Sequence, residues 1–203
     1  MSQDNFNYYF DNYIKDISLF RIRNRSSIDE VDYTLMENVY EQSSQEIDKN
    51  LEKFYSGISY WKQRWKTSSN APVQFEGSIN IVKLEDVLNW KAWDLMPNEF
   101  PQMENFTILD YFYNEAAVGF YLGAPEKGLY YFEFDADPKP LNLDFKGYLE
   151  MIKYTKGASY WQLGCIEPIV RTTNKAIEKL NQIDPSITVE GFYKLYDSVR
   201  INK

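Results

Sequence analysis

Residues 105–161 constrain the fold of this chain more than any other stretch. They hold three apolar segments in close succession: 107–112 (TILDYF), 115–122 (EAAVGFYL) and 128–135 (GLYYFEFD). All three read as strands. Residues 116–122 are apolar at consecutive positions, and a strand buried on both faces belongs in the middle of a covered sheet. Gly119 inside it predicts a bulge or a close approach by another backbone. A Pro-bounded connector, residues 135–140 (DADPKP), turns the chain. An amphipathic helix then starts at Asp144, with Phe145, Tyr148, Leu149 and Ile152 as its inward stripe and Gly157 as its C-cap.

The flanks are read with the same rules. Arg21, Arg23 and Arg25 fall on alternating positions of a polar and aromatic lead-in, which is either loose or a short docked element. Ser27-Ile-Asp-Glu30 has the form of a capping box. Apolar residues from Leu35 to Ile58 then recur at steps of three and four, the period of one or two helices. That helical pattern extends through Tyr60, Trp61 and Trp65, whose two Trp are either a core anchor or an exposed aromatic platform. Residues 78–83 (SINIVK) alternate as a strand, and 84–89 (LEDVLN) form one or two helical turns. Residues 89–102, with Trp90, Trp93, Pro97 and Pro101, read as an irregular aromatic loop. Two short helices near 173–182 and 188–200, separated by Asp184-Pro185, carry apolar stripes for the sheet or for a partner.

Composition narrows the chemistry. The chain has 203 residues and no histidine, which removes Ser–His–Asp and Cys–His catalysis and every His-containing metal site. Cys165 is the only cysteine, so no intrachain disulfide and no Cys cluster for zinc can form; its neighbours mark it as a small core residue. No apolar run has the length of a membrane span. The start, MSQDNFNYYFDNY, lacks a basic and apolar signal pattern, so a cytoplasmic protein is expected. Residues 76–161 hold 14 acids against 7 Lys and no Arg, while the other residues hold 16 acids and 15 bases. This imbalance argues against direct nucleic-acid binding through phosphates and favours a basic protein partner, or simply solubility.

The order of elements, strand 78–83, LEDV, a Trp-bearing loop, three strands and then LNLDFKGYLEMI and KGASYWQ, resembles the SUKH superfamily over residues 45–165. This is the group of bacterial immunity proteins that also contains fungal regulators of cell-wall synthesis. Phe145 and the Tyr148-Leu149 pair of the helix carry the likeness, while the Leu-Pro-containing start of the family is not evident near Leu51. The resemblance implies an α+β fold with a mainly antiparallel sheet covered by helices on one side. Residues 45–168 would form that domain, 1–44 a partly helical N-terminal extension, and 169–203 a helical C-terminal extension packed on it. The implied activity is non-catalytic binding: occlusion of a cognate toxin, often a nuclease, with no cofactor and no metal.

Other chemistry stays open at this point. Asp110 with Glu115, or Glu133 with Asp135, are candidate carboxylate pairs for hydrolysis. Asp135-Ala-Asp137 has the form of part of a cation site, or of a turn that caps its own amides. As a binding surface, Glu126, Glu133, Asp135 and Asp137 form an acidic rim, and Trp90 and Trp93 supply aromatic contact area suited to a basic toxin domain. A regulatory scaffold that uses the helical extensions is the competing reading.

Overall fold

The structure, a computed structural model, describes residues 20–27, 51, 54–55, 59–67, 69, 71–89, 103, 105–113, 116–124, 128–133, 136–166 and 171–201; for 20–27, 88–89, 113 and 171 it describes the backbone only. Seven strands form one antiparallel sheet in chain order: β1 (Phe20–Ser27), β2 (Tyr60–Thr67), β3 (Glu76–Ile81), β4 (Phe106–Tyr113), β5 (Ala116–Tyr121), β6 (Tyr130–Glu133) and β7 (Lys139–Pro140). The helices bounded among the described residues are α1 (Leu84–Asn89), α2 (Phe145–Thr155), α3 (Leu163–Ile166), α4 (Arg171–Asn181) and α5 (Val189–Val199). The α+β class is therefore as expected.

Two apolar clusters show how the layers meet. The larger contains Val87 of α1, Tyr148 and Met151 of α2, Cys165 of α3, Ile177 and Leu180 of α4, and Phe192 and Tyr196 of α5, packed on Trp65, Ile79, Val118 and Tyr131 of the sheet. The smaller contains Met103, Phe106, Ile108, Ala117 and Phe132 and includes no helical residue of α1–α5. Helices α1–α5 thus serve one face of the sheet. The tail helices turn their stripes inward: Tyr196 shares its hydroxyl proton between the carbonyls of Leu141 and Cys165, both at 3.0 Å.

Strand β5 is buried at five of its six residues, as its unbroken apolar run predicts. Its Val118 faces the larger cluster and its Ala117 the smaller. A Cβ on Gly119 would run into the Thr107 carbonyl oxygen and the Phe106 ring, so the close approach expected there is present. Opposite it, β4 slips register between Ile108 and Asp110. Strict alternation would place Asp110 with Phe106 and Ile108 in the smaller cluster; the extra residue turns it toward the helices.

Strand β2 corrects the helix expected through Tyr60, Trp61 and Trp65. Leu51, Phe54 and Tyr55 are helical and buried, but residues 60–67 are extended. Their burial alternates, with Trp61, Gln63, Trp65 and Thr67 inward and Lys62, Arg64 and Lys66 outward. The two Trp are core anchors, and the Trp65 indole donates to the Lys156 carbonyl at the end of α2. Residues 20–27, expected in an extension, form the edge strand paired along all of β2, from Phe20 opposite Thr67 to Ser27 opposite Tyr60. The rest of the pattern from Leu35 to Ile58, except Leu51, Phe54 and Tyr55, lies outside the described residues.

Helix α2 begins as expected: the Asp144 carboxylate accepts from the Gly147 N–H at 2.6 Å. Its cap falls one residue earlier than expected, on Lys156 with φ 57°. Gly157 follows at φ 64° and donates its N–H to Ile152 O at 3.1 Å. Met151 joins the buried stripe, and Leu149 is half-buried.

Candidate functional site

Of the residues expected to meet a partner, Glu133 and Asp137 are described; Glu126, Asp135, Trp90 and Trp93 lie outside the described residues. Glu133 ends β6, half-buried, and its carboxylate accepts from the Tyr131 hydroxyl at 2.7 Å. Asp137 is exposed in the turn that follows. It stands close enough to Tyr121 to help hold that phenol above its ordinary pKa, after burial and Tyr130. Tyr121 and Tyr130 are half-buried and meet edge to face at 5.1 Å. An acid beside two partly open rings is the arrangement a docking surface uses: the rings give contact area at low entropic cost, and the acid gives steering.

Asp110 lies elsewhere. Only 1% exposed, it sits between β3 and α2. It accepts from the Asn80 N–H at 2.8 Å and the Tyr148 hydroxyl at 2.9 Å, and the Gln162 amide donates to the Tyr148 oxygen at 3.4 Å. Burial pushes the Asp110 carboxyl up to about 6, although its two hydrogen bonds pull the other way. Burial, with the Asp110 charge second, also raises the Tyr55 and Tyr148 phenols well above 10. Burial raises the Cys165 thiol too, in the core position expected for it. The network fixes α2 on the sheet. Asp110 is sealed from any solvent-borne substrate, and its expected partner Glu115 lies outside the described residues.

A cleft not anticipated from the sequence opens at the far end of the sheet. It measures about 730 Å³ and runs between the end of β2, the start of β3 and α4. Lys66, Glu76, Tyr160, Thr172, Lys175 and Lys179 are among its walls. The α4 residues stand at steps of three and four on one helix face, which is the signal that could have marked it. Tyr160 is 42% exposed and has φ 65°, a left-handed conformation uncommon for a bulky side chain. Its carbonyl is held by the Thr173 hydroxyl at 3.1 Å and the Leu163 N–H at 3.2 Å. Lys179 lies over the Phe75 ring at 5.3 Å and closes the core side of the cleft.

No group of three or more Cys, Asp or Glu among the described residues is placed to hold a metal ion. Among them, no helix is long and apolar enough to cross a membrane. No family model, no curated protein and no solved structure matches the chain.

Proposed function

We propose that this protein is a non-catalytic immunity protein that binds and occludes a basic toxin domain, the activity implied by its resemblance to the SUKH superfamily. The observation that carries the reading is the exposed acid and paired rings at the β6–β7 end of the sheet, where the charge of Asp137 is felt by Tyr121 and Tyr121 packs edge to face on Tyr130. Such a patch matches the phosphate-gripping surface of a nuclease, which must be basic to do its work. Asp110, Tyr55, Tyr148 and Cys165, whose protonation burial displaces, are sealed in the core and serve packing. The scaffold reading is weaker, because Ile177, Leu180, Phe192 and Tyr196 turn the apolar stripes of α4 and α5 inward.

Affinity capture of the tagged protein from its own cells, with mass spectrometry of what is retained, tests the proposal. A near-stoichiometric basic toxin domain released by salt is the expected result. Asp137→Lys, at an exposed position, should then weaken capture at least tenfold, mainly through the association rate. Recovery of regulatory or cell-wall proteins alone would move the assignment to a scaffold.

A further inference from the structure

The pairing of β1 with β2 puts two rows of cations side by side. Arg21 stands opposite Lys66, Arg23 opposite Arg64, and Arg25 opposite Lys62. Directly opposed residues of an antiparallel pair occupy the same face of a sheet. On β2 that face is the outward one, since Lys62, Arg64 and Lys66 are exposed while their neighbours are buried. Six of the chain's 22 basic residues, and none of its 30 acidic ones, fall on these two strands. Among the described residues, no acid forms an ion pair with Lys62, Arg64 or Lys66.

Stability does not account for this arrangement. Like charges directly opposite one another on a sheet are destabilising, and one acid in any rung would relieve them. Three consecutive rungs of opposed basic residues, of which only the Lys66 rung runs on to an acid in β3, are a local rule broken in a chain of net charge −8, and such breaks concentrate where a molecule binds something. Beyond β2 the rungs meet Asn80, Ser78 and Glu76 of β3, so the only acid in the continuation lies at the Lys66 end. Lys66 also lines the cleft, where Lys175 and Lys179 extend the positive strip and Tyr160 offers an exposed ring.

We infer that the outward face of β1–β2, leading round the Lys66 end of the sheet into the cleft walled by Lys175 and Lys179, is a binding track for the backbone of a single-stranded nucleic acid, with Tyr160 as a stacking platform in that cleft. The rungs repeat every two residues, about 7 Å along a strand, comparable to the separation of neighbouring phosphates on an extended single strand. A basic groove that follows the backbone and ends at an aromatic ring is the recurring physical solution for single strands. A duplex carries its phosphates on curved rims, which a straight ladder on a sheet face follows poorly. The track lies at the opposite edge of the sheet from the acidic patch near β6 and β7, so it is a second activity, and it runs against the expectation drawn from net charge alone.

The test is fluorescence anisotropy with the full chain and labelled 12-nucleotide probes of oligo(U) and oligo(dT), beside a duplex of equal charge. Single strands should bind at 50 mM salt and lose about a hundredfold in affinity by 200 mM, as expected for roughly five neutralised phosphates. Preference for one probe would identify RNA or DNA as the source, and equal binding would mean that the backbone alone is read. The triple variant K62E/R64E/K66E should abolish binding. It should melt close to the parent, because two rungs become opposite-charged, while at the third the new acid gains Arg21 as a partner and faces Glu76 across β3. If it nevertheless melts lower, K62Q/R64Q/K66Q replaces it, with a loss of at least tenfold expected. Tyr160→Ala should weaken binding about fivefold. No binding at 50 mM salt, tighter binding of the duplex, undiminished binding by the charge variants, or more effective competition by polyglutamate than by oligo(U) would each overturn the inference.

Discussion

Strands β2 and β5 lie in the same sheet and are built for different surroundings. In β2 Lys62, Arg64 and Lys66 are exposed on one side, while Trp61, Gln63, Trp65 and Thr67 are buried on the other. In β5 Ala117 and Val118 point to opposite faces and both are fully buried, one in each apolar cluster. The β2–β3 end therefore keeps one partly open face, while β5 is buried on both faces and only half-buried rings such as Tyr121 and Tyr130 reach the surface beside it. An antiparallel sheet with one wet face can change that face without touching its core, which is the freedom a binding surface needs. The covered end supplies the rigidity against which the open end is held.

The largest expected effect would break the distinction at its covered end. Ala117→Lys and Val118→Lys should each cost about 4 kcal/mol or more, since each buries an unpaired charge on its own side of β5. Arg64→Ala, at the open end, should lie within about 0.5 kcal/mol of the parent. Urea unfolding of the three variants checks this, and a β5 substitution tolerated on either face would show that face to be open. Next in size is Trp65→Ala, expected to cost about 3–5 kcal/mol. Beside it, Lys66→Ala should be nearly silent, although the two residues are neighbours on one strand.

The same contrast decides what could be read from the chain. The covered end was legible because its signals agree: an unbroken apolar run in β5, a capped amphipathic α2, and helix stripes either side of Asp184-Pro185. The open end was not. Trp61 and Trp65 are four residues apart, a spacing that keeps two residues on one side of a helix and equally of a strand. The residues that would have settled the period are Gln63 and Thr67, polar side chains that are buried. Once β2 is taken for a helix, the alternation of Lys62, Arg64 and Lys66 disappears. The Arg21, Arg23 and Arg25 alternation is then left without a partner, because the pairing closes between Ser27 and Tyr60 across a long intervening segment. In the candidate site, Asp137 was placed from sequence beside aromatic residues. The ring that feels its charge, Tyr121, packs on Tyr130 of the next strand, a pairing whose register the sequence does not give.

A smaller effect tests the junction between the two ends, where Asp110 of β4 takes the Asn80 N–H of β3. Its folded-state pKa, about 6, lies above the ordinary 3.8. Between these values the folded state binds the extra proton, so the contribution of Asp110 is fully present below about pH 4 and is lost as pH rises through 6. Asp110→Asn removes the titration and keeps an acceptor oxygen, while its amide needs a new partner near Tyr148. The variant should be about 1–3 kcal/mol more stable than the parent at pH 8, with the difference fading toward pH 4. Denaturant curves at both pH values measure it; a difference independent of pH would mean that the carboxyl is not held as its burial implies.

The smallest effect sharpens the open end itself. With Arg23 and Arg64 directly opposed, the native β1–β2 pair should strengthen as salt screens their repulsion, so the melting temperature should rise between 10 mM and 1 M NaCl. Arg64→Glu turns the middle rung into an attractive pair and places an acid beside Lys62 and Lys66 on the same strand. A gain of a few tenths of a kcal/mol is expected at low salt, within the range of cross-strand pairs, and it should vanish at 1 M. The opposite sign, a loss at low salt, would mean that the six cations are relieved by acids from elsewhere in the chain. The ladder would then be a structural element satisfied within the protein, and its charge would no longer call for a ligand.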